Sequence, residues 1–513
     1  AESPHCQIAY KKLKMILSKA LCILVATFIP LGCVSEVVTI DTTSDNNDSS
    51  RLLRATSSRS LSAGLPYPME MPCMLRKADK ESSLHLDDDN ICFCELQGSD
   101  LEGVLSFKIV QLMDIPPHWC DSVFQPGRTE LLPGKLIVDD EEMHCTMETP
   151  AGENCWDQIV KNGQIQYQAA VTGNIKQLTS SPSRRSLMTG DRTVLVLQGI
   201  AGDTTIGTDI PTKEELSDSI FGTSGDPFNL KSQYTACSYG QLNFAPTTSF
   251  GENGVYSYIS DTNAIGSTSS HMRNEVYYGA RDSLGINLPT VVDHIMVCIP
   301  KGTVGDWIAY ALVDHWLSWF NNEWCTFASV QLHEMGHNLG LAHSGHGLVE
   351  YGDQSGMMGY SYSGDDFPIQ CFNGQKSYDL GWFSSYTVDF NSGTFTTWHG
   401  DIVGFVDRDN AGSRKMIIRM IDDVTQNSYY IHFNRQAGFN SGTQEGGDLV
   451  LVASKGPGYV PSYLEAELGG GEQYSISDFG GHPLIIKVDS IDDTLGDAVM
   501  KASISIKNPT LAG

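Results

Sequence analysis

The chain has 513 residues, long enough for roughly two to four domains with buried cores. Its 61 acidic against 33 basic residues leave a formal charge of −28, which argues against nucleic acid or anionic membrane as the main partner. The same charge says little about substrate, because it also keeps a secreted protein soluble.

At the N-terminus, Lys11, Lys12, Lys14 and Lys19 precede an apolar run over residues 20–29, and Gly32-Cys33-Val34-Ser35 follows it. A basic head, a short apolar stretch and small residues predict an export signal over residues 1–35. The run is too short to span a membrane, and no second segment reaches that length. Removing the signal takes Cys6, Cys22 and Cys33 from the thirteen cysteines. Cys73, Cys92, Cys94, Cys120, Cys145 and Cys155 remain on one side, and Cys237, Cys298, Cys325 and Cys371 on the other. Even numbers on each side predict two disulfide sets formed in an oxidising, extracellular compartment, with the pairing inside each set open.

Residues 36–63 are polar and low in complexity and read as a disordered linker, with one glycosylation sequon at Asn47-Asp48-Ser49. Short apolar runs broken by Pro and Gly predict a small, disulfide-tied, β-rich domain over 64–178. The linker 179–190 carries Arg184-Arg185 among serines, a good target for proteolysis that would release an N-terminal propeptide. An ordinary interdomain linker is the competing reading. Residues 191–390 form the third region, with strands predicted over 192–197, 293–299 and 307–313. Over 391–513 the pattern changes to short alternating segments, 415–420, 429–433, 449–452 and 484–488, joined by Gly-rich turns, which predicts a C-terminal β-sandwich.

The chemistry is concentrated in His333-Glu334-Met335-Gly336-His337-Asn338-Leu339-Gly340-Leu341-Ala342-His343, an HExxHxxGxxH pattern. On a helix predicted over 326–339, His333 and His337 share one face and reach one ion. Gly340 lets the chain leave the helix sharply, because a residue without Cβ enters left-handed conformations freely. His343 then arrives as third ligand, the arrangement of a catalytic Zn2+ whose fourth position is left for water. Glu334 stands beside that water and can take its proton. Ser344 is not a ligand candidate. His346 is the nearby competitor for the metal but reads as a solvated loop histidine, and His294 and His315 read as structural.

Downstream, Gly356-Met357-Met358-Gly359-Tyr360 resembles the Met-turn of the metzincin zinc peptidases, in which a methionine floors the three imidazoles. Met357 and Met358 compete for that role, and Met358 is favoured because Tyr360 follows at the Met-x-Tyr spacing of astacins and serralysins. That resemblance implies a phenol that ligates zinc or stabilises the oxyanion; a packed loop aromatic is the alternative for Tyr360. The segment 230–242, Tyr351-Gly352-Asp353 and Leu380-Gly381-Trp382, together with the zinc motif, are similar to the gametolysin-like family over about residues 190–390. The expected fold is α+β: the resemblance implies a metzincin-type catalytic domain with mixed sheet and active-site helix, and the segment patterns flank it with the β-rich prodomain and the β-sandwich. It also implies a secreted zinc endopeptidase acting on matrix or cell-wall proteins and glycoproteins, and a monomer is expected. Cys73, in Met71-Pro72-Cys73-Met74, shares only Pro-Cys with the matrixin latency segment, and a disulfide is its expected fate. His343-Ser344 hints at a matrixin, a hint the Met-x-Tyr turn opposes. The reading from a different class is an extracellular binding or adhesion protein whose zinc is structural, with His346 as fourth ligand.

Overall fold

In a computed structural model of the chain, the described residues are seven strands between 73 and 178, then 188–305, 307–359, 366–492 and 499–510. They belong to one compact unit, Tyr67–Gly513. The export signal, the polar linker, the Asn47 sequon, the Arg184-Arg185 pair, the Cys73 side chain and Tyr360 lie outside the described residues.

The N-terminal part consists of short strands: β1 (Cys73–Lys80), β2 (Asn90–Leu96), β3 (Ile109–Gln111), β4 (Thr129–Leu132), β5 (Gly134–Val138), β6 (Ile165–Ala169) and β7 (Lys176–Leu178). Next come β8 (Gly190–Ile200), helices α1 (Lys213–Phe221) and α2 (Leu230–Cys237), β9 (Leu242–Pro246), β10 (Val255–Ile259) and α3 (Ser269–Leu284). They are followed by β11 (His294–Ile299), β12 (Ala309–Leu312), β13 (Leu317–Asn321) and helix α4 (Ala328–Asn338). The result is a mixed α/β structure. Val194 to Leu197 and Ile295 to Ile299 are buried without alternation, as strands covered on both faces must be. The sheet runs β10-β8-β11-β13-β12, parallel except for β12, which pairs antiparallel with β13.

The strand predicted over 307–313 is present as β12, and it is not an edge of the sheet. In the chain β12 is paired on its outer side too, with Ala78↔Leu312, Asp79↔Ala311 and Lys80↔Tyr310 joining it antiparallel to β1. An edge strand offers a row of unpaired N–H and C=O groups, and β1 satisfies them. The junction is also packed: Phe93 of β2 stacks on Trp319 at 6.1 Å, and the buried Arg273 guanidinium lies 5.3 Å from Phe93 and 5.2 Å from Trp319.

The remaining elements are β14 (Ser344–His346), α5 (Gly374–Leu380), β15 (Thr387–Asn391), β16 (Thr397–Val403), β17 (Ile417–Ile421) and β18 (Ser428–Asn434). After these come β19 (Leu449–Lys455), β20 (Ser462–Leu468), β21 (Gln473–Phe479), β22 (His482–Asp492) and β23 (Lys501–Lys507). One sheet has the order β14-β20-β19-β18-β17-β15 and a second the order β16-β23-β22-β21. Inward residues of both, among them Ile418, Ile431, Val450 and Val452 with Leu484, Ile486, Ile504 and Ile506, make one apolar core. Because β14 lies before residue 390 and pairs with β20, hydrogen bonding crosses the domain boundary expected there. Among the described residues no helix is long and apolar enough to cross a membrane.

His432 is a buried cost in this region. Its ring stacks on Phe405, neither nitrogen has a hydrogen-bond partner, and burial pushes its pKa down to about 3. Burial likewise pushes His294 down to about 4. An unfolded histidine takes a proton below about pH 6.5 and these do not, so both favour folding above that pH. Stability should therefore fall as the pH drops from about 6.5 towards 4, by up to about 1.4 kcal/mol per pH unit for each group. Urea titrations across that range check this, and His432→Leu should flatten the slope; an unchanged slope would contradict it.

Candidate metal centre

Helix α4 carries the first two imidazoles and ends at Asn338, with Leu339 as its cap. Gly340 follows at φ +86°, the left-handed turn that brings His343 back over the helix end. Asn338, inside the motif, fixes that end by donating to the carbonyls of Leu312 and Leu317, at 2.8 and 3.0 Å.

The three histidines come together as the spacing predicts. His333, His337 and His343 offer ring nitrogens within 4.8 Å of one another, and all three residues are buried. Nε2 of His337 lies 3.2 Å from Nε2 of His333 and 3.1 Å from Nε2 of His343. Each Nδ1 faces an acceptor and so carries the proton: His333 donates to the Met357 carbonyl at 2.7 Å, His337 to the Leu341 carbonyl at 2.8 Å and His343 to the Glu350 carboxylate at 2.7 Å. Three Nε2 lone pairs therefore converge, an arrangement that repels itself unless a cation sits among them. Tetrahedral Zn–N bonds of about 2.05 Å put ligand nitrogens roughly 3.3 Å apart, so the donor set fits zinc.

Glu334 is fully buried next to His333. Burial, and to a lesser extent the Glu334 charge, raises the pKa of the nearby Tyr310 phenol. The two methionines divide the turn between them. Met357 gives its carbonyl to His333, while the Met358 side chain packs beneath the helix, where a Cβ on Gly336 would lie 2.6 Å from its sulfur. His346 stands apart from the cluster, with Nδ1 3.0 Å from Glu445 on an exposed hairpin.

The flanks of the motif hold it in place. Tyr234 of α2 donates to the Leu332 carbonyl at 2.9 Å, and its ring meets Trp382 edge-on at 6.2 Å. A Cys237–Cys371 disulfide ties α2 to the segment whose Cys371 carbonyl accepts from Met357 N–H. Cys298–Cys325 links β11 to the approach to α4. Both bridges pair within the 237–371 set.

Several supporting contacts are absent from the motif. Lys376 is buried and donates to the His343 carbonyl at 2.8 Å, Gln375 Oε1 at 2.7 Å and Ser462 Oγ at 3.0 Å. Burial pushes its pKa down to about 7, yet three acceptors match the three N–H groups of the ammonium form. Ser462 N–H also donates to the His343 carbonyl, at 3.1 Å, and the Tyr459 hydroxyl donates to the Leu341 carbonyl at 3.1 Å. The C-terminal sheet thus grips the loop that delivers His343.

Residues 207–430 match the family model described as gametolysin peptidase M11. No curated protein matches the chain.

Proposed function

We propose that the chain, whose residues 207–430 match the gametolysin peptidase M11 family model, is a secreted, monomeric zinc endopeptidase cutting matrix or cell-wall proteins. The observation that carries this is the convergence of three buried imidazole lone pairs with a buried carboxylate next to one of them. When bound, zinc supplies a Lewis acid that polarises the scissile carbonyl and acidifies a water towards a pKa of roughly 7. His333, His337 and His343 would hold the ion. Glu334 takes the water proton at its carboxylate and passes it to the leaving amine. Met358 would provide the apolar floor, and the Tyr360 hydroxyl would donate a hydrogen bond to the developing oxyanion. Within β10-β8-β11-β13-β12, the antiparallel placing of β12 alone supports the metzincin subclass.

Export fits the two disulfides beside the site, which persist in oxidising compartments. Residues 391–513 make the β-sandwich. Residues 64–178 make the prodomain, and their removal after Arg185 frees the β12 edge that β1 covers. The mature N-terminus, read by mass spectrometry, should start just after Arg185; residues 36–185 still attached to a fully active enzyme would defeat that step.

A structural-zinc adhesion protein needs a fourth protein ligand, and His346 points to Glu445 instead. Casein cleavage blocked by a chelator and restored by zinc is the expected behaviour, whereas zinc binding without cleavage would favour the adhesion reading.

A further inference from the structure

We propose that Glu350 is the positioning residue of the metal centre, and that its carboxylate sets both the orientation of His343 and the affinity for zinc. The proposal rests on the metallopeptidase reading above.

The three imidazoles are held in two different ways. His333 and His337 lie on one helix and donate from Nδ1 to main-chain carbonyls, those of Met357 and Leu341. Both rings thus sit on one helix with main-chain acceptors at Nδ1, and the Tyr459 hydroxyl also lies 3.5 Å from His337 Nδ1. His343 reaches the site on a turn after Gly340, so no helix sets its ring. Its Nδ1–H donates at 2.7 Å to a side chain, Glu350 Oε1, and Tyr351 lies against its ring at a centroid distance of 4.2 Å. Glu350 and Tyr351 are adjacent on the return of the hairpin closed by the His346–Val349 hydrogen bonds of 2.9 and 3.1 Å.

A carboxylate on Nδ1 does two things that a carbonyl does less well. It holds the proton on Nδ1, leaving Nε2 as the lone pair aimed at the ion, and its charge makes that lone pair more basic. Fold stability gives a weaker reason for this contact. The Glu350 side chain is 50% exposed while that of His343 is 2% exposed, and ion pairs open to solvent contribute little to folding. The half-exposed carboxylate thus ties the third imidazole to the hairpin closed by His346 and Val349.

The test uses the full chain, with E350A and E350Q. Zinc dissociation constants are measured by competition with a chromophoric chelator at fixed pH. The visible spectrum of each cobalt-substituted protein is recorded, and the metal-free unfolding midpoint reports the fold. E350A should bind zinc about 10–100-fold more weakly, with a changed cobalt spectrum and an unmoved metal-free midpoint. E350Q keeps an acceptor oxygen without the charge and should lose about 2–10-fold. If E350A does not fold, E350Q decides: a loss in that range supports the proposal and unchanged binding overturns it. E350A binding zinc as tightly as a zinc-binding parent overturns the proposal alone. A parent that takes up no zinc removes the metallopeptidase reading, and this proposal with it.

Discussion

Glu334→Gln is expected to leave zinc binding intact and to lower kcat/KM by about 10²–10⁴-fold, the usual worth of a positioned general base. Glutamine keeps the shape of the buried side chain but accepts no proton from water. The three imidazoles and their Nδ1 acceptors, Met357, Leu341 and Glu350, do not involve Glu334, so the metal should stay. Metal content and initial rates on one peptide, measured on the same preparation, check both halves. A rate within roughly fivefold of the parent would assign the proton transfer elsewhere.

The second large effect is expected from Gly359→Ala. A Cβ at residue 359 would lie 1.6 Å from the Asp353 carbonyl oxygen, 2.5 Å from its carbon and 3.1 Å from the Ser344 oxygen. These are main-chain atoms and cannot swing aside. They belong to a tight weave in which Ser344 N–H donates to the Met358 carbonyl at 2.8 Å and Asp353 N–H to the Ser344 carbonyl at 3.1 Å. Opening it displaces the methionine turn and the residue after His343 together. We expect a loss of about 3–5 kcal/mol in unfolding free energy, with zinc affinity falling alongside. Denaturant titration of the metal-free protein decides it, and a midpoint equal to the parent's would show that the turn can relax.

The ligand geometry was legible because it is local. Four residues on a helix and three across a glycine turn determine where His333, His337 and His343 point, and α4 at Ala328–Asn338 lies within the predicted 326–339. The strand at 293–299 was readable for the same kind of reason: an unbroken apolar run over 295–299. What supports the ligands comes from far along the chain. Lys376 reaches His343 across 33 residues, and Tyr459 reaches Leu341 across 118. No periodicity encodes such meetings, and a buried lysine reads in sequence as an ordinary exposed one. The occupied edge of β12 escaped for a related reason. A strand's own sequence does not name the strand it pairs with, and β1 lies over 200 positions from β12. Cys237 and Cys371 likewise join only once α2 packs beside the methionine turn.

If water activated at the three-histidine site cuts internal peptide bonds, digestion of casein in ¹⁸O-labelled water, read by mass spectrometry, should place one ¹⁸O at each new C-terminus within the casein sequence. A chelator should abolish these products and zinc should restore them. Labelled internal products that persist undiminished under chelation, or no internal products at all, would contradict it.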